Sequence, residues 1–194
     1  MKLLVAVALA LGVGVAATGC GTHALVVAGC TIKPNVSCPN SDFTGADLHG
    51  VNLSDANLTN SKFTNANLAD ANLTGANLTG ATLKGATLTD ANFTHVDLIY
   101  VDLRGVNFAG VNLTGVDFHN RDMRKDDLSG AILYDSYLFD VNLAGANLAG
   151  AALAGADFSG ANLTGANLAG ADLVGVVYNN TTCPNGKLST DVGC

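Results

Sequence analysis

From Phe43 to Leu173 every fifth position of the chain is Leu, Phe or Met, twenty-seven positions in steps of five with no slip of register. Two residues before nearly all of them stands a small one, mostly Ala or Val, as at Ala46, Val51, Ala56, Ala66, Ala71, Val101, Ala166 and Ala171. Along a strand, residues five apart point to opposite faces. Along a helix, five steps turn about 500° and scatter them around the cylinder. Leu48 and Leu53 can share one interior only if the chain turns a corner between them. Each pentapeptide is then a short extended side with two inward groups, i−2 and i, followed by a bend. The i+2 series suits a bend, reading Gly45, Gly50, Asp55, Asn60, Asn65, Asp70, Gly75, Gly80, Gly85. Gly, Asn and Asp tolerate turn and left-handed conformations. A chain that turns the same way at every corner coils into a solenoid with turns about 4.8 Å apart.

The consensus Ala-(Asp/Asn)-Leu-x-Gly, as in Ala71-Asn72-Leu73-Thr74-Gly75 and Ala161-Asn162-Leu163-Thr164-Gly165, resembles the pentapeptide repeat family over residues 41–175. The resemblance implies an all-β fold, a right-handed quadrilateral β-helix with four pentapeptides per coil. The repeats then make about seven coils, a rod of about 33 Å at one strand spacing per coil. On this reading residues 1–20 are an export signal peptide, 21–40 a linker and cap, 41–178 the β-helix and 179–194 a C-terminal cap.

The net charge of −7 comes from Asp spread through the repeats, with no Glu. It reads as a solvated acidic surface or, more sharply, as a surface for a basic partner. The first residues, Lys2 followed by the apolar run Leu3 to Ala17, have the form of an export signal and are short for a membrane span. Ala17-Thr18-Gly19-Cys20 resembles a bacterial lipobox, in which Cys20 is acylated. Val27-Ala28-Gly29-Cys30 and ordinary cleavage after Ala17 or Ala24 are the alternatives. The expected location is the cell envelope or exterior, as a lipoprotein or freely secreted.

Setting Cys20 aside leaves Cys30, Cys38, Cys183 and Cys194, an even set that reads as disulfides in an exported chain. Pairs joining the two ends would span roughly 30 Å, whereas a disulfide needs Cα atoms within about 7 Å. Cys30–Cys38 and Cys183–Cys194 remain, each closing a small loop at one end of the rod. The same distance excludes a four-cysteine metal site.

Stacking residues twenty apart turns the sequence into columns. The first face carries outward Thr44, Thr64, Lys84, Arg104, Arg124 beside Asp42, Lys62, Thr82, Asp102, Asp122, a basic ladder next to an acidic one that suggests cross-strand salt bridges. The third face carries Asn52/Ser54, Asn72/Thr74, Asn92/Thr94 and Asn112/Thr114. These rungs suit ordered water, ice or a sugar ring, or simply hydrogen-bond along the β-surface. The fourth face gathers Ile99, His119 and Phe139 in one column with Tyr137 beside it. Tyr100 stands at its corner, and Ile132 and Tyr134 on the adjoining third face. Elsewhere outward positions are mostly small or polar, so these large groups are the candidate contact surface for a protein partner or a second copy. Arg121 and Asp126 occupy successive inward i−2 positions. Buried, they would need each other; the expected resolution is that residues 120–127 bulge outward and rotate every later column.

His49, His95 and His119 fall on separate faces, and the interior is Leu, Phe, Ala and Val. No nucleophile–base pair, P-loop or metal-ligand spacing is present, so no catalysis and no cofactor are expected. The favoured reading is a non-enzymatic structural or interaction module. The family suggests an alternative, mimicry of B-DNA against a type II topoisomerase. The export signal and the non-helical end Thr181-Thr182-Cys183-Pro184-Asn185-Gly186 argue against it, and nucleic acid is not an expected partner.

Overall fold

The computed structural model of the protein describes residues 25–103, 105–189 and 194; the signal-like segment with Cys20, and Arg104, lie outside them. The chain bends every five residues. The i+2 residues take left-handed backbone conformations, for example φ 57° at Asn60 and Asp70 and 67° at Gly75. Where i−1 is Asn or Asp, that residue fixes the bend. Its side-chain oxygen accepts the N–H two residues on, as from Thr74 N to Asn72 Oδ1 at 3.1 Å, an Asx-type turn.

Each side is too short to be more than a single bridge, and each bridge is parallel to the residue twenty later, from Ser37–Asn57 to Asn162–Thr182. Leu53 N donates to Asn72 O at 2.8 Å and Asn72 N to Val51 O at 2.9 Å, the two rungs of one side. Four corners therefore close each twenty-residue coil, and the i and i−2 residues point inward. Phe43, Leu48, Leu73 and Leu163 are wholly buried, and Phe43 stacks on Phe63 with centroids 5.0 Å apart.

At the N-terminal end a hairpin of β1 (Val26–Val27) and β2 (Cys30–Thr31) turns Val27 and Cys30 onto the core. A disulfide joins Cys30 to Cys38. At the other end Cys183 is bonded to Cys194, and Thr182 bridges antiparallel to Leu188. The inward series does not stay sealed there. Leu168 is half-buried and Leu173 is 37% exposed, because among the described residues no further coil lies beneath them.

The expected bulge at residues 120–127 does not form. Asn112 bridges Ile132 and Asp122 bridges Asn142 at the ordinary spacing of twenty, so the columns run unrotated through this stretch. Nor do Arg121 and Asp126 pair with each other. Each reaches the backbone of the preceding coil: Arg121 Nη2 donates to Leu98 O at 3.0 Å, and Asp126 Oδ1 accepts from Gly105 N at 3.2 Å. Two smaller polar residues at the same inward position of the first face behave alike. Ser61 donates to Cys38 O at 3.0 Å and Thr181 to Phe158 O at 2.7 Å. A hydroxyl fits that slot without disturbance. The longer Arg121 and Asp126 side chains instead accompany a seam. Among the described residues Asp97 does not bridge Asp117, nor Asp102 Asp122, nor Asn107 Asp127. The third face, Asn92–Asn112–Ile132, stays continuous across it.

Candidate binding corner

The seam opens a crevice of about 160 Å³ lined by Val101, Asp102, Leu103, Asn120, Arg121 and Asp122. Below it Asp126 is 5% exposed and its Oδ2 has no hydrogen-bond partner. Burial raises its carboxyl above the usual range; the Gly105 N–H opposes this, and the charges of Asp122 and Asp102 add to it. This polar inclusion in an apolar tube was visible in the sequence only as two misplaced residue types.

On the first face the described residues include exposed ion pairs of the kind the ladder suggests. Lys62 lies 3.9 Å from Asp42, and Arg124 forks onto Asp122 of its own rung through two hydrogen bonds of 2.7 Å. Pairs this exposed are screened by water and contribute little to stability. Asp42 is held below the usual range by the Thr44 hydroxyl and N–H, and Asp127 by those of Ser129. On the third face Thr74, Thr94 and Thr114 each donate their hydroxyl to the Asn of their own rung at 2.7, 2.6 and 2.8 Å. Thr59 and Thr164 do so on other faces. The hydroxyls thus serve the bends, and the third face is not chemically special.

The fourth face differs from the others. Ile99, His119 and Phe139 fall in one column, and the His119 ring stacks on Phe139 with centroids 5.0 Å apart and planes 16° apart. His119 Nδ1 sits 2.7 Å from Asp117 Oδ1. Tyr137 is 53% exposed in the companion column, with Tyr134 just across the corner. Phe139 and Ile132 are half-buried, Phe139 beneath the imidazole. Tyr100 is 82% exposed and holds φ 59°. A left-handed conformation costs a residue with a Cβ about 1–2 kcal/mol. His95, at the neighbouring corner with φ 54°, lays its ring across the Gly115 Cα; Tyr100 buries almost nothing in return. Among the described residues no three His, Cys or carboxylate groups are placed to hold a metal ion, and no helix is long and apolar enough to cross a membrane.

Comparison with known proteins agrees with this architecture. The family model for pentapeptide repeats matches in eight copies over residues 34–60, 52–90, 91–130 and 142–177. The chain belongs to the pentapeptide repeat family, and solved members of that family are similar to it. One is HetL, involved in heterocyst differentiation regulation in the cyanobacterium Nostoc sp. strain PCC 7120. It is 24% identical, with 80% of this chain and 90% of that one covered, at TM-score 0.39. Another is a trypsin-treated point variant of QnrB1, a plasmid-mediated fluoroquinolone resistance protein, 20% identical over 74% of this chain and 90% of that one at TM-score 0.49. A third comes from the thylakoid lumen of Arabidopsis thaliana, 25% identical over 58% and 61% of the two chains at TM-score 0.16. No curated protein matches the chain.

Proposed function

We propose that the chain is a non-enzymatic interaction module of the cell envelope or exterior. It is a rigid rod of about seven coils (one strand spacing each) with a disulfide at each end, displaying a protein-binding corner on its fourth face. Tyr100 carries this reading. A bulky aromatic ring standing in solvent, on a backbone conformation that disfavours it, gains the fold nothing, and such strain gathers at functional sites. Ile99, Tyr134, Tyr137 and the His119–Phe139 stack extend it into a patch of the kind that marks a contact surface. The two disulfides support export, because such bonds persist in oxidising compartments. Acylation at Cys20 would tether the rod to a membrane; cleavage without it would release the rod.

The test is site-specific photocrosslinking in the host, with a benzophenone residue at position 100 or 137 and, as control, at position 72 on the third face. A discrete adduct from the corner alone is expected, lost when Ile99, Tyr137 and Phe139 are changed to Ser while the circular dichroism spectrum stays unchanged. Equal labelling from position 72, or none from the corner, overturns the reading. Mass spectrometry of the same material reports the N-terminus and any acyl chain; an intact Met1 end would defeat export.

A further inference from the structure

We propose that the occupant of the fourth-face corner is an extended, cationic segment of another protein, and not a second copy of this chain. The inference rests on the binding-corner reading above and deepens it. Its first ground is charge. Asp97, Asp117, Asp140 and Asp157 stand on the fourth face and Asp135 on its edge, whereas among the described residues no Lys or Arg occupies an outward position there, the Arg121 guanidinium reaching this face from an inward position and being bonded to Leu98 O. The described cations stand elsewhere: Lys62, Lys84 and Arg124 outward on the first face and Arg121 inward on it, Lys125 at the corner beyond, Lys33 and Lys187 at the ends. A second copy docked through the same corner would set these carboxylates against their own kind, and like charges across an interface disfavour it.

The second ground is the chemistry of the rings. Tyr100 and Tyr137 offer open π faces beside carboxylates, a combination that attracts Arg or Lys both through the ring quadrupole and through Coulomb interaction. Asp97 is held in one place, its Oδ1 accepting from Ile99 N at 2.9 Å and its Oδ2 from the Thr79 hydroxyl at 3.2 Å. The third ground is shape. Parallel rungs run along the face from Asp117 through Tyr137 to Asp157, with the seam parting Asp117 from Asp97, and such a strip suits a chain laid along it better than a compact ligand.

The experiment titrates the ¹⁵N-labelled full chain with a capped hexapeptide alternating Arg and Gly, and with versions carrying Gln or Glu in place of Arg. At about 0.15 M salt a Debye length of about 8 Å screens the diffuse attraction of an acidic protein. The Arg peptide is expected to shift amides of residues 97–100, 117–120 and 134–139 selectively. Tyr100→Ser and Tyr137→Ser should each weaken it by about two- to fivefold, and the Glu peptide should shift nothing. If the Gln peptide binds as well as the Arg peptide, the corner binds without reading charge, and the inference fails while the binding corner stands. Shifts following Asp residues on every face, insensitive to both Tyr variants, overturn it as non-specific attraction. A dimer in sedimentation that Tyr100→Ser dissolves makes a second copy the occupant, and the inference falls. So does silence of the corner toward every peptide, while the crosslinking result judges the binding corner separately.

Discussion

Replacing Asp126 by Asn separates two accounts of the polar interior by the sign of the effect. The carboxylate is 95% removed from solvent, makes one hydrogen bond of 3.2 Å to Gly105 N, and leaves Oδ2 without a partner. A buried polar group left unsatisfied costs about 1–3 kcal/mol, more when charged. Asn keeps an acceptor for Gly105 and removes the charge, so a gain of about 2 kcal/mol is expected at neutral pH, about 4–8 °C in Tm for a chain of this size. The raised pKa fixes the pH dependence. The folded state holds this proton more tightly than the unfolded chain does, so the contribution is complete below the ordinary carboxylate range and is lost as pH rises through the raised value. The advantage of Asn should therefore be largest at neutral pH and should shrink toward zero as pH falls to about 4 and below, near the unfolded pKa. Melting curves of both proteins across that range measure it. Had Asp126 been held in an ion pair with Arg121, breaking the pair would destabilise by about 3–5 kcal/mol. A variant less stable at neutral pH, with a gap that closes on acidification, would refute the reasoning.

The other corners and ends give equally direct tests. Tyr100→Asn should raise the urea midpoint, by about 0.5–1 kcal/mol of stability, since Asn tolerates the left-handed conformation; a loss would show that the ring packs after all. At Gly155, φ is 76° and an added Cβ would meet Asp135 Oδ1 of the preceding coil. Gly155→Ala should thus cost about 1–2 kcal/mol, and Asp135→Gly in the same chain should recover part of it. Opening either disulfide by Cys→Ser should cost about 2–3 kcal/mol, the chain-entropy value for loops of eight and eleven residues, seen as a lower denaturant midpoint.

The tube was legible because one physical rule repeats. A five-residue period satisfies neither a strand nor a helix, so Leu48 and Leu53 share an interior only around a corner, and that interior is what the structure holds. The fourth-face column was legible too, once the coil length was known, because Ile99, His119 and Phe139 are the wrong size for their positions. The fate of Arg121 and Asp126 was not. Sequence shows that a charged residue occupies an inward slot, but not whether backbone acceptors lie within reach. Leu98 O and the Gly105 N–H are supplied by the coil before, and their position depends on how far two coils can part. Ser61 and Thr181 held the clue, since they stand in the Arg121 slot of other coils and use the same carbonyl geometry. The exposed end at Leu173 was likewise hidden, because a periodic pattern does not reveal where the stack lacks a neighbour.

Departures from the repeat, inward and outward, fall on the same coils, and this has a consequence for motion. Val101, next to Tyr100, lines the crevice of the seam on one side and Asn120 on the other. Leu58 N and Leu78 N donate across coils at 2.9 Å to Asn77 O and Asp97 O. Leu98 N, in the same column, and Tyr100 N, in the column where Asn60 N and Gly80 N donate to Thr79 O and Ile99 O, make no coil-to-coil hydrogen bond among the described residues. Local openings that leave the rest of the rod folded expose such amides first. Leu98 and Tyr100 should therefore exchange with solvent deuterium at least about ten times faster than Leu58 and Leu78. Asp126→Asn, which relieves the charge without closing the missing rungs, should raise global stability and leave that local difference in place. Equal protection at all four amides would mean that the coils are evenly laddered there, and that Arg121 and Asp126 are accommodated without parting them.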